Sequence, residues 1–457
     1  MDLNKIKKIY FIGIGGNGIS AAARILKFQG KEVVGSDENE NEITKMLEND
    51  GIEVIIGQKY ENVPSDAELV VYSVAVREDN PERMATKKLG IIEMTYPQLL
   101  GMMMADKIGI GVSGTNGKTT VTAMVGKILV SAGLDPTIIV GSKVDYLSGN
   151  SKVGKSDYFL FESDEYRRAF ENYNPKIAVN TYIGEDHFDY YKDLGDIKSA
   201  FSSYFHKVQS DGFLIINSDD ENSLEVSQNC GAKIITYGIN NKADIMAKNL
   251  QVEDGLQKFD LHLEDRMFEM QLSIPGKFNV YNALAAIAVS YHLGVDMEKI
   301  KSALAEFRGA WRRFERLGSL GKMTVITDYA HTPDAISKTI LAAKEFYPGK
   351  KVLVVFQPHQ FSRTKNLFKG FSEAFSGVDK LIIPDIYYAK GREKPEDFDV
   401  NSQKLVDAIK LNGINAVYGG TLDQSEKQVE ELKDDYDMAL IMGAGDIYNL
   451  AKKIVNK

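Results

Sequence analysis

The chain has 457 residues, of which 44% are hydrophobic and 26% charged, and a formal net charge of −9. That length exceeds what one hydrophobic core holds and implies roughly two to four domains, while the acidic balance argues against nucleic-acid binding. Cys230 is the only cysteine, which excludes an internal disulfide and a Cys-rich zinc site; with no signal peptide and no apolar run of membrane-spanning length, the expectation is a cytoplasmic enzyme without membrane insertion.

The first section opens with the apolar run Ile9-Tyr10-Phe11-Ile12, then Gly13-Ile14-Gly15-Gly16-Asn17-Gly18, then Ile19, Ala22, Ala23 and Leu26 at helical spacing. Val33 to Asp37 and Leu69 to Ser73 read as further strands, so alternating strands and helices imply a parallel sheet. Gly13, Gly15 and Gly18 match the dinucleotide fingerprint, with Asp37 near the place of the ribose acid. The signal is that a diphosphate could lie on a helix start. NAD and a UDP-linked substrate satisfy it equally, and a close-packed turn is the bland alternative. A second phosphate loop in the same chain favours UDP.

That second loop begins the next section, near Lys107. The run Ile108 to Val112 leads into Gly114-Thr115-Asn116-Gly117-Lys118-Thr119-Thr120, and Val121, Met124, Val125, Ile128 and Leu129 then recur at helical spacing. In this strand, loop and helix, backbone N–H groups can turn around a phosphate and the helix start adds its positive end. Lys118 can reach the terminal phosphates of ATP or GTP, and the Thr119 hydroxyl can hold Mg²⁺. Val112 stands where the longer GxxxxGK[ST] form has glycine, so the loop is the shorter GxxGKT form.

Tyr158 to Phe161, Ile177 to Val179 and Phe213 to Ile216 read as buried parallel strands. Glu162 ends the first of these and is followed by Ser163-Asp164-Glu165, an acidic strand end that would complete a Mg²⁺ site or form a solvated turn. His187 follows the second, in Gly184-Glu185-Asp186-His187-Phe188-Asp189, where flanking carboxylates favour a metal role over a structural one. Residues 244–275, with a turn at Asp254-Gly255, suggest antiparallel hairpins, and Asn279 to Leu293 is an alanine-rich helix.

The third section starts around Arg312-Arg313-Phe314-Glu315, where an arginine could clamp phosphate oxygens. Its strands are Val325 to Thr327, Val352 to Val355, Leu381 to Ile383 and Ala439 to Met442. Asp328, at a strand end, could bind a ribose hydroxyl, and His359 and Arg363 in Phe356 to Thr364 could hold an anionic substrate. The expected domains are 1–106, 107–313 and 314–457, joined by short junctions that suit hinged closure.

Taken together, GTNGKTT at 114–120, EDHFD at 185–189, the helix with Asn279 and Asn282, RRFE at 312–315 and DYAHTP at 328–333 resemble the Mur ligase family over essentially the whole chain. The resemblance implies three α/β domains. These are a Rossmann-like UDP-binding domain, a central P-loop ATPase-type parallel sheet with appended antiparallel strands, and a Rossmann-like C-terminal domain for the incoming amino acid. It implies ATP-dependent amide-bond formation through an acyl phosphate, in peptidoglycan precursor synthesis. The opening Phe11 to Gly18, FQPHQFSRT at 356–364 and Gly443 to Ile447 are similar to members that join L-alanine to UDP-N-acetylmuramate. Those members usually carry histidine where Asn116 stands, and His-His-Pro where His331-Thr332-Pro333 stands.

Glu162 to Tyr166 is similar to recycling members that attach a tripeptide to the same nucleotide sugar, which is the alternative reading; an NAD-binding oxidoreductase is the alternative from another class. The Asp-Asn-Pro-Arg motif of diaminopimelate-adding members is absent, and Lys198 lies out of register with the carbamylated lysine of some relatives. By resemblance, Lys118 and two Mg²⁺ ions offset the phosphate charge, Thr119 and Glu162 holding the first and Glu162 and His187 the second. Gly114, Thr115, Asn116, Gly117, Thr120 and Asn282 line the ATP site, Asp328 meets its ribose and Arg313 reaches the phosphates. Gly13, Gly15, Gly16, Gly18 and Ser73 line the UDP site, with Asp37 on the uridine. His331, His359 and Arg363 take the amino acid, Arg363 pairing its carboxylate. A monomer or homodimer is expected.

Overall fold

The computed structural model describes residues 1–187, 190–253, 255–389, 393 and 395–456. The described residues fall into two compact units: Met1–Ile183 with Lys198–Tyr237 and Ala285–Ile300, and Gly184–Ile197 with Gly238–Leu284 and the chain from Lys301 onward.

Within the first unit, residues 8–95 build a five-stranded parallel sheet. Its spatial order is Glu53–Ile56, Glu32–Asp37, Lys8–Ile12, Leu69–Tyr72, Ile92–Thr95. Strand Lys8–Ile12 is apolar on both sides, as a central parallel strand requires. Ile9 and Phe11 enter one core layer with Leu26 and Leu99, and Tyr10 and Ile12 the other with Val70 and Ala85. The chain order reverses on either side of this strand, which puts its C-terminal end at the switch point where α/β sheets bind ligands. The edge strand Glu53–Ile56 escaped the sequence reading because it is short and half exposed, and carries no long apolar run.

A second sheet in this unit has the order Lys233–Gly238, Phe213–Asn217, Ile177–Asn180, Ile108–Ser113, Tyr158–Glu162, Thr137–Val144, Gly149–Lys152. All pairs are parallel except the last. The first helix of the chain, Asn17–Phe28, is tied to this sheet: Asn150 Nδ2 donates to the Asn17 carbonyl at 2.7 Å and Arg24 Nη1 to Ser151 Oγ at 3.2 Å.

In the second unit, Ile245–Glu253, Leu256–Leu263 and Arg266–Leu272 form the expected antiparallel meander. Gly255 takes the left-handed turn position with φ 70°, while Asp254 lies outside the described residues. A six-stranded sheet follows in the order Glu315–Leu320, Met323–Asp328, Met438–Met442, Val352–Phe356, Lys380–Pro384, Ala416–Gly420, parallel except for its first pair. Val354 and Phe356 face one core layer, Leu353 and Val355 the other. Among the described residues no helix is long and apolar enough to cross a membrane.

Candidate active site

In the first unit the strand Ile108–Ser113 ends in the loop 114–117 and the helix Lys118–Ser131 begins at once. Gly114 (φ 129°) has no room for a Cβ, which would collide with the Thr181 hydroxyl, and Gly117 caps the helix at φ 87°. The loop is braced from the neighbouring strand end: Thr115 N donates to the Tyr182 carbonyl at 2.9 Å, and Thr181 Oγ1 to the Asn116 carbonyl. Lys118 Nζ donates to the Gly114 carbonyl at 2.8 Å and to both carboxylate oxygens of Glu165, at 2.9 and 2.6 Å. Burial alone presses this ammonium to lose its proton, but the nearby Glu165, Asp164 and Glu162 charges outweigh it and raise its pKa, so Lys118 is a firm cation.

The structure brings Thr119 and Glu162 together, Oγ1 donating to Oε2 at 3.1 Å. The other Glu162 oxygen accepts from Gly141 N, and a Cβ on Gly141 would stand only 2.7 Å from the carboxylate. A hydroxyl and a carboxylate fixed beside a phosphate loop are hard oxygen donors of the kind Mg²⁺ takes. Thr120 is buried in the first helical turn. Glu165, which sequence reasoning did not assign, is the residue that reaches Lys118; its signal was the acidic run after Glu162.

The glycine loop of the five-stranded sheet sits at the C-terminal end of Lys8–Ile12. Gly13 N and Ile14 N donate to the Ser36 carbonyl, and Gly16 caps the helix Asn17–Phe28. Gly18 packs against Tyr96, whose ring would be 2.9 Å from an added Cβ, and Ser73 borders Gly13 in the same way at 3.2 Å. Asp37 Oδ2 accepts from Gly15 N at 2.9 Å and Oδ1 from Asn39 N at 3.2 Å. Its carboxylate therefore braces the loop it was expected to serve.

The remaining site residues lie in the second unit. His187 has a left-handed backbone (φ 56°) and its N–H donates to Asp186 Oδ1 at 2.7 Å; Phe188 and Asp189 of the same motif lie outside the described residues. Asn282 Nδ2 donates to Asn279 Oδ1 at 3.0 Å, and Asn279 Nδ2 to the Pro275 carbonyl at 2.6 Å, both side chains buried. Arg313 lies over the Tyr329 ring, 4.7 Å from its centroid. Its neighbour Arg312 is buried and donates to the carbonyls of Gly443 and, at 3.1 Å, Gly445, which marks Arg312 as the bracing member of the pair. Asp328, expected at a ribose, accepts from Phe314 N at 2.8 Å and Ala330 N at 2.7 Å; burial raises its pKa.

His331, His359 and Arg363 converge on Asp186. Arg363 Nη2 donates to Asp186 Oδ1 at 3.1 Å, and Nη1 donates to His359 Nδ1 at 3.1 Å. His359 therefore carries its proton on Nε2, and its ring stacks on Tyr387 at 5.1 Å. His331 Nδ1 donates to the Tyr329 carbonyl at 2.9 Å, leaving Nε2 4.0 Å from Asp186 Oδ2. Burial, and then the Arg363 charge, pushes the imidazole down to about 4 against the pull of Asp186. Burial tends to raise the Asp186 carboxyl, but His187 and Arg363 override it and hold it well below the usual carboxylate range. Arg363 Nε is buried without a partner among the described residues. Such a donor calls for an acceptor. Asp186, like Glu165, had no role in the sequence reading beyond flanking His187.

Three family models cover the chain in turn: Mur ligase family, catalytic domain, at residues 8–108; Mur ligase middle domain at 112–290; and Mur ligase, glutamate ligase domain at 312–445. The UDP-N-acetylmuramate–L-alanine ligase of Caldanaerobacter subterraneus subsp. tengcongensis is 42% identical over 460 residues, covering 100% of this chain and 99% of that protein. The Clostridium tetani protein of the same name is 43% identical over 449 residues, covering 98% and 97%. Among solved structures, UDP-N-acetylmuramate-alanine ligase MurC from Thermotoga maritima superposes with a TM-score of 0.84 at 30% identity over 98% of both chains. A murein peptide ligase from Psychrobacter arcticus shares the fold, with a TM-score of 0.74 at 22% identity and 98% coverage of both.

Proposed function

This chain belongs to the Mur ligase family, and from that premise we propose that it joins L-alanine to UDP-N-acetylmuramate at the expense of ATP. The observation that carries the choice of amino acid is full-length identity above 40% to ligases of that name. Likeness to the murein peptide ligase extends to the fold, so the tripeptide alternative is not favoured. ATP transfers its γ-phosphoryl group to the lactyl carboxylate, giving an acyl phosphate and ADP. The alanine amine then attacks the acyl carbon, the C–O bond to phosphate breaks, and inorganic phosphate leaves with the amide formed.

The roles of side chains follow from chemistry at each place. Lys118 neutralises transferring phosphate oxygens, and Gly114, Thr115, Asn116 and Gly117 turn backbone amides toward them. Thr119 and Glu162 would hold one Mg²⁺, and Glu162 and His187 a second; these ions would offset phosphate charge. Arg313 and Asn282 contact ATP. Asp328 serves it indirectly, by fixing the backbone at Phe314 beside Arg313. Gly13, Gly15, Gly16, Gly18 and Ser73 accept the UDP diphosphate, with Asp37 shaping the loop. The unsatisfied Arg363 Nε, with His331 and His359 nearby, receives the amino-acid carboxylate. The enzyme works in the cytoplasm, where ATP and the nucleotide sugar are available, as a monomer or homodimer.

Phosphate release measured with UDP-N-acetylmuramate and ATP tests the assignment. L-alanine is expected to support turnover, and NAD to have no effect. Turnover with a tripeptide in preference to L-alanine would refute the substrate choice while leaving the ligase chemistry.

A further inference from the structure

A lysine ammonium has three protons to donate. In Lys118 all three are in use, one on the Gly114 carbonyl at 2.8 Å and two on Glu165 at 2.9 and 2.6 Å. A phosphate oxygen that reaches this ammonium must replace one of these acceptors. The Gly114 carbonyl belongs to the loop backbone and stays with the loop. Glu165 is a side chain, 1% exposed, and its carboxylate carries the same sign as the incoming phosphate. Two anions competing for one half-buried cation repel each other more strongly than in open water, where screening is greater.

The segment that carries Glu165 is itself under strain. Arg167 and Arg168 follow with φ/ψ of 52°/30° and 55°/31°, two consecutive non-glycine residues in the left-handed region. Such residues persist only where surrounding contacts hold them. Here the contacts include Glu165 on Lys118, Arg168 Nη1 on Glu171 Oε1 at 3.1 Å, and Arg167 Nη1 on the Val74 carbonyl at 2.7 Å, one residue from Ser73. Release of Glu165 removes one of these holds and lets the turn relax.

We propose that Glu165 is an internal stand-in for phosphate, a positioning residue that keeps Lys118 charged and aimed and that ATP must displace to bind. This rests on the reading of residues 114–119 as the ATP site. Its consequence is that Glu165 weakens nucleotide affinity, opposite to a metal ligand or a direct ATP contact.

Calorimetry on the full-length protein with metal-free ATP in a chelator, and with MgATP, separates these. Glu165→Gln keeps shape and an acceptor but removes the charge. It is expected to bind metal-free ATP about tenfold more tightly than wild type, a charge-assisted hydrogen bond no longer having to be broken. KM for ATP should fall with it and KM for L-alanine should not move. Glu165→Asp, with the carboxylate one methylene further from Nζ, should tighten binding by less, and serves if the glutamine variant does not fold. Unchanged or weaker binding of metal-free ATP overturns the proposal, as does a loss confined to MgATP, which would make Glu165 a metal ligand. If wild-type protein binds no ATP, or Lys118→Ala binds it as wild type does, the ATP-site reading fails instead.

Discussion

Acidification from pH 7 is expected to destabilise the second unit, and His331 is the reason. In an unfolded chain its imidazole has a pKa near 6.5, whereas in the fold burial and Arg363 hold it at about 4. Between those values the unfolded chain binds a proton that the folded one refuses. Stability therefore falls as pH drops through this window, by about 1.4 kcal/mol for each pH unit. At pH 4.5, two units into it, the loss is about 2.5 kcal/mol. Asp186 does not confuse the reading. Its folded pKa is depressed, so its contribution is present above the unfolded carboxylate value and is lost only as pH falls below about 3.9.

His331→Asn keeps a donor for the Tyr329 carbonyl and removes the titration. Urea unfolding at pH 7 and pH 4.5, followed by emission of Trp311, is the assay. Trp311 is the chain's one tryptophan and packs edge-on against Tyr448 at 5.0 Å within the same unit. Wild type should lose about 2.5 kcal/mol more than the variant between the two pH values. Equal losses would refute the argument, since the other five histidines are common to both proteins.

Two further outcomes concern catalysis. Lys118→Ala should lower phosphate release at least about a hundredfold with an unchanged circular dichroism spectrum, because the cation facing the transferred group is gone; near-normal turnover would remove the loop from the reaction. Arg363→Lys should raise KM for L-alanine about tenfold or more and move KM for ATP little, since a compact ammonium lacks the planar fork whose Nη2 reaches Asp186 and Nη1 reaches His359 while Nε is left for a substrate carboxylate. A normal KM for L-alanine would place Arg363 outside the amino-acid site.

The parts of this site written in contiguous residues were legible from sequence. Gly114 to Thr120 specify strand end, turn and helix start within seven residues, each tied to a local backbone requirement. Long central strands were legible for a similar reason, because a run such as Val352 to Phe356 is buried on both faces. What was hidden is long-range pairing. Glu165 meets Lys118 across 47 positions and Asp186 meets Arg363 across 177, and nothing local distinguishes these carboxylates from solvated ones. Asp37 adds a second kind of hidden contact: its place after a strand suggested a ligand contact, and its carboxylate also closes a hydrogen bond onto Gly15 that the spacing did not announce. Antiparallel Glu315–Leu320 escaped notice because its burial is patchy and its glycine breaks the apolar pattern.

The clamp of Asn150 on Asn17 and of Ser151 on Arg24 has an evolutionary consequence. It seats the helix behind one diphosphate loop on the sheet that carries the other, so both are inherited as a single block. The six-stranded sheet and the meander group together instead, in a unit that takes up the chain again at Gly238. Recombination between ligases of this architecture therefore has a natural seam well before Arg312. A crossover there moves Gly238–Leu284 together with the chain from Lys301 onward and leaves the clamped helix and its sheet intact, while Ala285–Ile300 and the partners Asp186 and Arg363, which fall on opposite sides of the seam from what they join, have to match between the parents.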